Sequence, residues 1–148
     1  MKKYAYLFLL LTGFATASCD KEEETPPATT SGVVNLTASL DGKQQVPANP
    51  SPGTGTLTGT YDKSTRVITY TITFKDMTGN PTLGHFHQGA PGATGPVSVP
   101  FPQLTSPITG TATLSQADGE KLLQGAFYAN LHSGMYGGGE LRGDIKIK

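Results

Sequence analysis

The sequence predicts an all-β domain: an antiparallel Greek-key β-sandwich or flattened barrel of about eight strands with one short helix. Three observations predict it. From Val33 onward, apolar and polar residues alternate with the two-residue period of half-buried strands, not with helical spacing. The 148 residues include 19 glycines and 11 prolines, which divide a chain into short segments and oppose long helices. Only one stretch, 116 to 124, carries helix start and stop signals.

Residues 1–18 stand apart from this domain. Lys2 and Lys3 precede an apolar run from Tyr4 to Phe14, closed by the small residues Ala15, Thr16, Ala17 and Ser18. That is the plan of a secretory signal peptide, too short for a stable membrane span, which takes roughly 20 apolar residues. Cys19, the sole cysteine, follows at once, and the junction resembles a lipobox with Thr16 where a bulky aliphatic residue is usual. The resemblance implies lipidation of Cys19, attachment to a lipid bilayer and an exported bacterial outer-membrane lipoprotein. A second acyl chain would make that anchor stable, because one alone is marginal. A free thiol left by ordinary cleavage is the other reading. Residues 19–32 then form a tether: Asp20 to Glu24 is an acidic run, and the Thr/Pro/Ala/Ser stretch after it cannot bury enough surface to offset ordering. The acidic run resembles a surface-export signal, which implies exposure outside the cell; a plain acidic linker is the alternative.

The chain has 11 basic and 11 acidic residues; loss of Lys2 and Lys3 with the leader leaves 9 against 11, a net charge of about −2. Nothing here forms the clustered basic face that nucleic acid requires, so a nucleic-acid partner is excluded. Residues 33–148 suffice for one core and leave no room for a second domain.

The elements follow in order. Val34, Leu36, Ala38 and Leu40 alternate with Asn35, Thr37 and Ser39, giving the first strand. A Thr/Gly-rich strand over 53–61 turns at Asp62-Lys63-Ser64-Thr65 into another, where Ile68, Tyr70, Ile72 and Phe74 alternate with Val67, Thr69, Thr71 and Thr73. Further strands are predicted at 82–87, 96–101, 108–114, 125–132 and 140–147. The helix at 116–124 rests on Ser115 and Asp118 as an approximate capping box, Leu122 and Leu123 as an apolar edge and Gly125 as a terminator, with Gly119 counting against it. Gln88 to Pro96 contains too many turn formers to continue a strand.

All three histidines of the chain fall where strand geometry can gather them. His85 and His87 flank Phe86, so they share one strand face about 6 to 7 Å apart. In Phe127 to His132, Asn130 and His132 share the face opposite Phe127, Ala129 and Leu131. If the two strands are neighbours, His85, His87 and His132 form a three-imidazole site suited to copper, with zinc as second choice. The competing reading makes them hydrogen-bonding residues that hold the 88–96 and 133–139 loops. Asn130 is placed to orient an imidazole. Glu140, Arg142 and Asp144 share a face and read as an ordinary surface ion-pair ladder, with Arg142 the best candidate for contacting an anion. Gly137-Gly138-Gly139 has no accompanying lysine and helix, so it is a bend and not a phosphate loop. No nucleophile motif occurs in the domain, which leaves hydrolysis as the poorest reading and no catalytic residue to name.

Three ordered segments resemble the signatures of the chordin-type (CHRD) domain: Leu40 to Pro47, Gly84 to Val97, and Tyr128 to Ser133 followed by Gly138 to Gly143. The resemblance spans 33 to 147 and departs at Gln45, where glutamate is common. It implies an exported domain of this fold more strongly than it implies an activity. A looser architectural similarity is to copper/zinc superoxide dismutase, a Greek-key sandwich with a His-x-His strand and a later histidine on copper. That similarity implies His85, His87 and His132 as ligands and Arg142 as a nearby cation. Three histidines leave none for a bridging imidazole or a separate zinc site, and one cysteine cannot form an internal disulfide.

The expected function is therefore an envelope-anchored lipoprotein binding module of the CHRD type that binds one copper or zinc ion through three histidines. The alternatives are a copper-dependent redox enzyme resembling superoxide dismutase, and a structural or adhesive surface protein. An extracellular protein or a polysaccharide is the expected partner in the last case.

Overall fold

The computed structural model describes residues 32–148. The expected signal peptide, Cys19 and all of the tether but Gly32 lie outside the described residues. The elements in chain order are β1 (Val33–Asp41), β2 (Thr54–Asp62), β3 (Val67–Lys75), β4 (Pro81–Gln88), β5 (Val97–Pro100), β6 (Ile108–Thr113), α1 (Gln116–Leu123), β7 (Phe127–Ser133), β8 (Leu141–Asp144) and β9 (Lys146–Ile147). The fold is all-β with one short helix, as expected. Among the described residues no helix is long and apolar enough to cross a membrane.

The strands form one rolled antiparallel sheet in the order β5-β4-β7-β8-β1-β2-β3-β6, with β9 pairing β1. It is a nearly closed barrel whose edges are β5 and β6. β1, β2 and β3 pair along their full lengths as a meander, whereas β4 and β7 meet only through long connections. One side of the sheet turns inward: Leu57, Ile68, Ile72, Phe86, Leu131 and Leu141 are fully buried. Tyr70 of β3 meets Phe86 of β4 edge-on at 4.8 Å, so strands far apart in the sheet order face each other across the core. The outer side of the meander is threonine-rich, with Thr58, Thr71 and Thr109 in register across β2, β3 and β6.

α1 starts and stops where the sequence predicts. The Ser115 hydroxyl oxygen accepts from the Asp118 N–H at 3.1 Å, and Gly125 takes the left-handed φ of +72° just after the last turn. Gly119 has a packing reason for being there, since a Cβ at this position would run into the Tyr61 hydroxyl. The expected single strand over 140–147 is divided into two. Ile145 is 1% exposed, its N–H donates to the Phe127 carbonyl, and beyond it β9 pairs with β1 at Leu36 and Thr37. Burying that isoleucine breaks the ladder.

Candidate metal centre

β4 and β7 are adjacent and antiparallel, with Leu83 opposite His132, His85 opposite Asn130 and His87 opposite Tyr128. Paired residues share a face, so all three imidazoles stand on the outer side of the sheet. The ring centroids of His85 and His87 are 5.6 Å apart and those of His85 and His132 5.5 Å. One nitrogen of each lies within 4.8 Å of the others. His87 is 9% exposed, and the other two rings are half-buried.

Hydrogen bonding fixes how two of the rings face. His87 Nδ1 lies 3.0 Å from the Gly95 carbonyl oxygen, and His132 Nδ1 lies 2.8 Å from that of Gly137. A carbonyl only accepts, so each Nδ1 carries the hydrogen and each neutral ring keeps a lone pair on Nε2. Those Nε2 atoms, together with His85 Nδ1, are buried and have no hydrogen-bond partner. Burial, then the neighbouring His132 and His87 rings, hold His85 below the ordinary histidine pKa. Burial likewise lowers His87, outweighing the upward pull of its Gly95 bond. Both are therefore neutral at pH 7. A buried polar atom without a partner costs about 1–3 kcal/mol, so three aimed at one place form an arrangement that a cation would relieve.

The metric is close to what an ion needs. At a metal–nitrogen distance of about 2.0 to 2.1 Å, tetrahedral angles set nitrogens about 3.4 Å apart. Closing from 4.8 Å at most takes a shift of roughly 0.8 Å per ring. The residues therefore fit a three-histidine metal site, with Nδ1–H bonds to backbone carbonyls as the outer support that ligating histidines use.

The walls of the site come from two loops folded back over the sheet. Arg142 binds the 88–96 loop through its Ala93 and Ala90 carbonyls at 2.8 and 3.2 Å. The same guanidinium donates twice to Asp144 Oδ1, at 3.0 and 2.8 Å, and lies 3.7 Å over the Tyr128 ring. His87 stacks on Tyr128 at 4.8 Å with ring planes 2° apart. On the other side the 133–139 loop reaches His132 through Gly137.

Two expectations need correction. The ladder of Glu140, Arg142 and Asp144 is not on the surface: Glu140 is 0% and Arg142 1% exposed. Loops cover both. Arg142 pairs with Asp144 as expected, but it is buried and four of its five N–H groups bind that carboxylate and two carbonyls, so it stands as a strut for the loop and not as an exposed cation. Glu140 instead accepts from Ser51 Oγ at 2.6 Å, from the Thr78 N–H at 2.7 Å and from Thr78 Oγ1 at 2.9 Å. Asn130 stands beside His85 in register, and its Oδ1 accepts from Gln45 Nε2 at 2.7 Å. That bond ties the β1–β2 connection to the outer face of β7. Gln45, Tyr128 and Glu140 were not assigned these roles from sequence, because each acts on a partner from a distant loop or strand. The Gly137-Gly138-Gly139 run beside His132 was the one local hint that backbone closes over this face.

A rolled antiparallel sheet carrying a three-imidazole cluster between folded-back loops thus defines the class of this protein. The family model described as the CHRD domain matches residues 36–145, and the chain belongs to that family. No curated protein matches the chain, and no solved structure does.

Proposed function

We propose that this chain is an exported, envelope-anchored CHRD module that binds one transition-metal ion through His85, His87 and His132, copper in preference to zinc. The observation that carries the reading is the convergence of three partnerless imidazole nitrogens, on two rings of which a backbone carbonyl holds the hydrogen at Nδ1. An all-nitrogen donor set follows the usual affinity order, in which Cu(II) stands above Zn(II). The leader, Cys19 and the acidic tether support lipid attachment and an outer-membrane address. Binding is favoured over superoxide chemistry because Arg142, the cation that would draw an anion, is engaged by Asp144 and the 88–96 loop. An adhesive role toward a protein or a polysaccharide would use other surfaces and is compatible with the site.

The test is a titration of residues 33–148, free of any histidine tag, with Cu(II) and Zn(II). One equivalent bound by the parent, with affinity lost at least a hundredfold in both His85→Ala and His132→Ala, is expected. Equal weak binding in all three proteins would reject the site.

A further inference from the structure

The three imidazoles are not held alike. His85 Nδ1 has no partner, and His132 is tied at Nδ1 to the Gly137 carbonyl. His87 has its own carbonyl tie and a second support, the Tyr128 ring, which lies parallel to it within 2° at a centroid distance of 4.8 Å. Tyr128 is opposite His87 in register, and β7 runs between β4 and β8. The phenol ring therefore stands between the imidazole on one side and the Arg142 guanidinium, 3.7 Å from its centroid, on the other. Its hydroxyl accepts from the Gly95 N–H at 3.3 Å, and the carbonyl of the same Gly95 takes the His87 Nδ1 hydrogen at 3.0 Å. One residue of the 88–96 loop thus binds both the imidazole and the ring stacked on it. Glycine is required there, since a Cβ at Gly95 would run into the Gln88 carbonyl. Gly89, at the start of the loop, is in the same position: its Cβ would come 2.8 Å from the Tyr128 ring.

An imidazole turns about two side-chain bonds, and aiming its Nε2 takes control of both. The Gly95 carbonyl fixes where Nδ1 lies, a single point about which the ring can still rock. A parallel ring packed against its face removes that rocking, and the two supports together leave the buried, partnerless Nε2 one direction. We propose that Tyr128 is a positioning residue of the metal centre: its ring, backed by Arg142, sets the plane of His87 and makes it the pre-aimed ligand on which His85 and His132 close around the ion. The inference rests on the metal reading and deepens it, because it assigns the preorganisation of the site to a residue that is not itself a ligand.

Cu(II) is titrated into the protein and into Tyr128→Phe, Tyr128→Leu and Tyr128→Met, and the electron paramagnetic resonance spectrum of each one-equivalent complex is recorded. Phenylalanine keeps the ring face, so Tyr128→Phe should bind copper as the parent does and give the parent's spectrum. Leucine and methionine keep apolar bulk without a face. Loss of an outer support of a ligating histidine typically costs about 10–100-fold in metal affinity, and a loss of that size with an altered copper hyperfine pattern is expected for both. Two such variants are used so that one that misfolds, detected by lost near-UV dichroism, leaves the other to be read. A cycle with His87→Ala separates positioning from general stability: once the imidazole is gone, Tyr128→Leu or Tyr128→Met should cost no further affinity. Ringless variants that bind and read as the parent does, or the same loss in the His87→Ala background, would overturn the role of Tyr128 and leave the three-histidine site standing. Failure of the parent to bind one equivalent would overturn the metal reading and this role with it.

Discussion

Glu140 gives the sharpest test of how the barrel is held together. Its carboxylate is fully buried and joins three segments distant in sequence: its own β7–β8 loop, Ser51 between β1 and β2, and Thr78 between β3 and β4. Burial alone would raise its pKa. Hydrogen bonds from Ser133, Ser51 and Thr78 outweigh that and hold it below the usual carboxylate value. Glu140→Gln keeps the shape, removes the charge and turns an NH2 group toward donors. Hydrogen bonds to a charged acceptor contribute about 1.5–3 kcal/mol each and do not add fully, so a loss of roughly 3 kcal/mol at pH 7 is expected. For a domain of this size that corresponds to a fall in Tm of roughly 10 °C. The pH dependence carries a sign. A carboxyl with a depressed folded pKa contributes stability above its unfolded value of about 4.3 and loses it as pH falls through the lower folded value. Urea unfolding of parent and variant from pH 7 down to pH 3 should therefore show the gap narrowing with acid. A variant as stable as the parent at pH 7, or a gap independent of pH, would refute the clasp.

Other expectations follow from packing and from the site. Gly119→Ala, which in an exposed helix would stabilise by about 1 kcal/mol, should here destabilise through the Tyr61 hydroxyl, and Tyr61→Phe should relieve it in a double-mutant cycle. Arg142→Met leaves the Asp144 carboxylate and the Ala90 and Ala93 carbonyls without their donor; it should cost about 3–5 kcal/mol and speed amide exchange across the 88–96 loop. Copper at a hundred times its Kd should stabilise the domain by about 2.7 kcal/mol, read as a Tm rise that His132→Ala abolishes.

The strands were legible because alternation survives wherever one face of a sheet is buried. The Ile68-Tyr70-Ile72 and Phe127-Ala129-Leu131 series name their own inner faces, and all three residues of each set bury as read. The histidine cluster was legible for the same reason: His85, His87 and His132 sit out of phase with those core residues, and only the adjacency of β4 and β7 had to be supplied. What alternation does not encode is which part of an outer face a loop will cover. Glu140 and Arg142 carry the signature of exposed charge, and their burial comes from the 45–51, 78 and 88–96 segments folding over them.

The sheet order has one thin seam. β8 and β1 pair only at Asp41 and Arg142, and β9 adds Leu36 and Thr37, so the joint there is far shorter than the nine-residue registers of the meander. Every side chain assigned to the ion belongs to β4 or β7, on one side of that seam, while Gln45 reaches across from the other to grip Asn130. A force or a partner that prised the two halves apart would leave the imidazoles on their own unbroken strands. It would pull the Gln45 amide away from Asn130, the residue opposite His85, and so unfasten the one side-chain clasp that joins the β1–β2 connection to the outer face of β7.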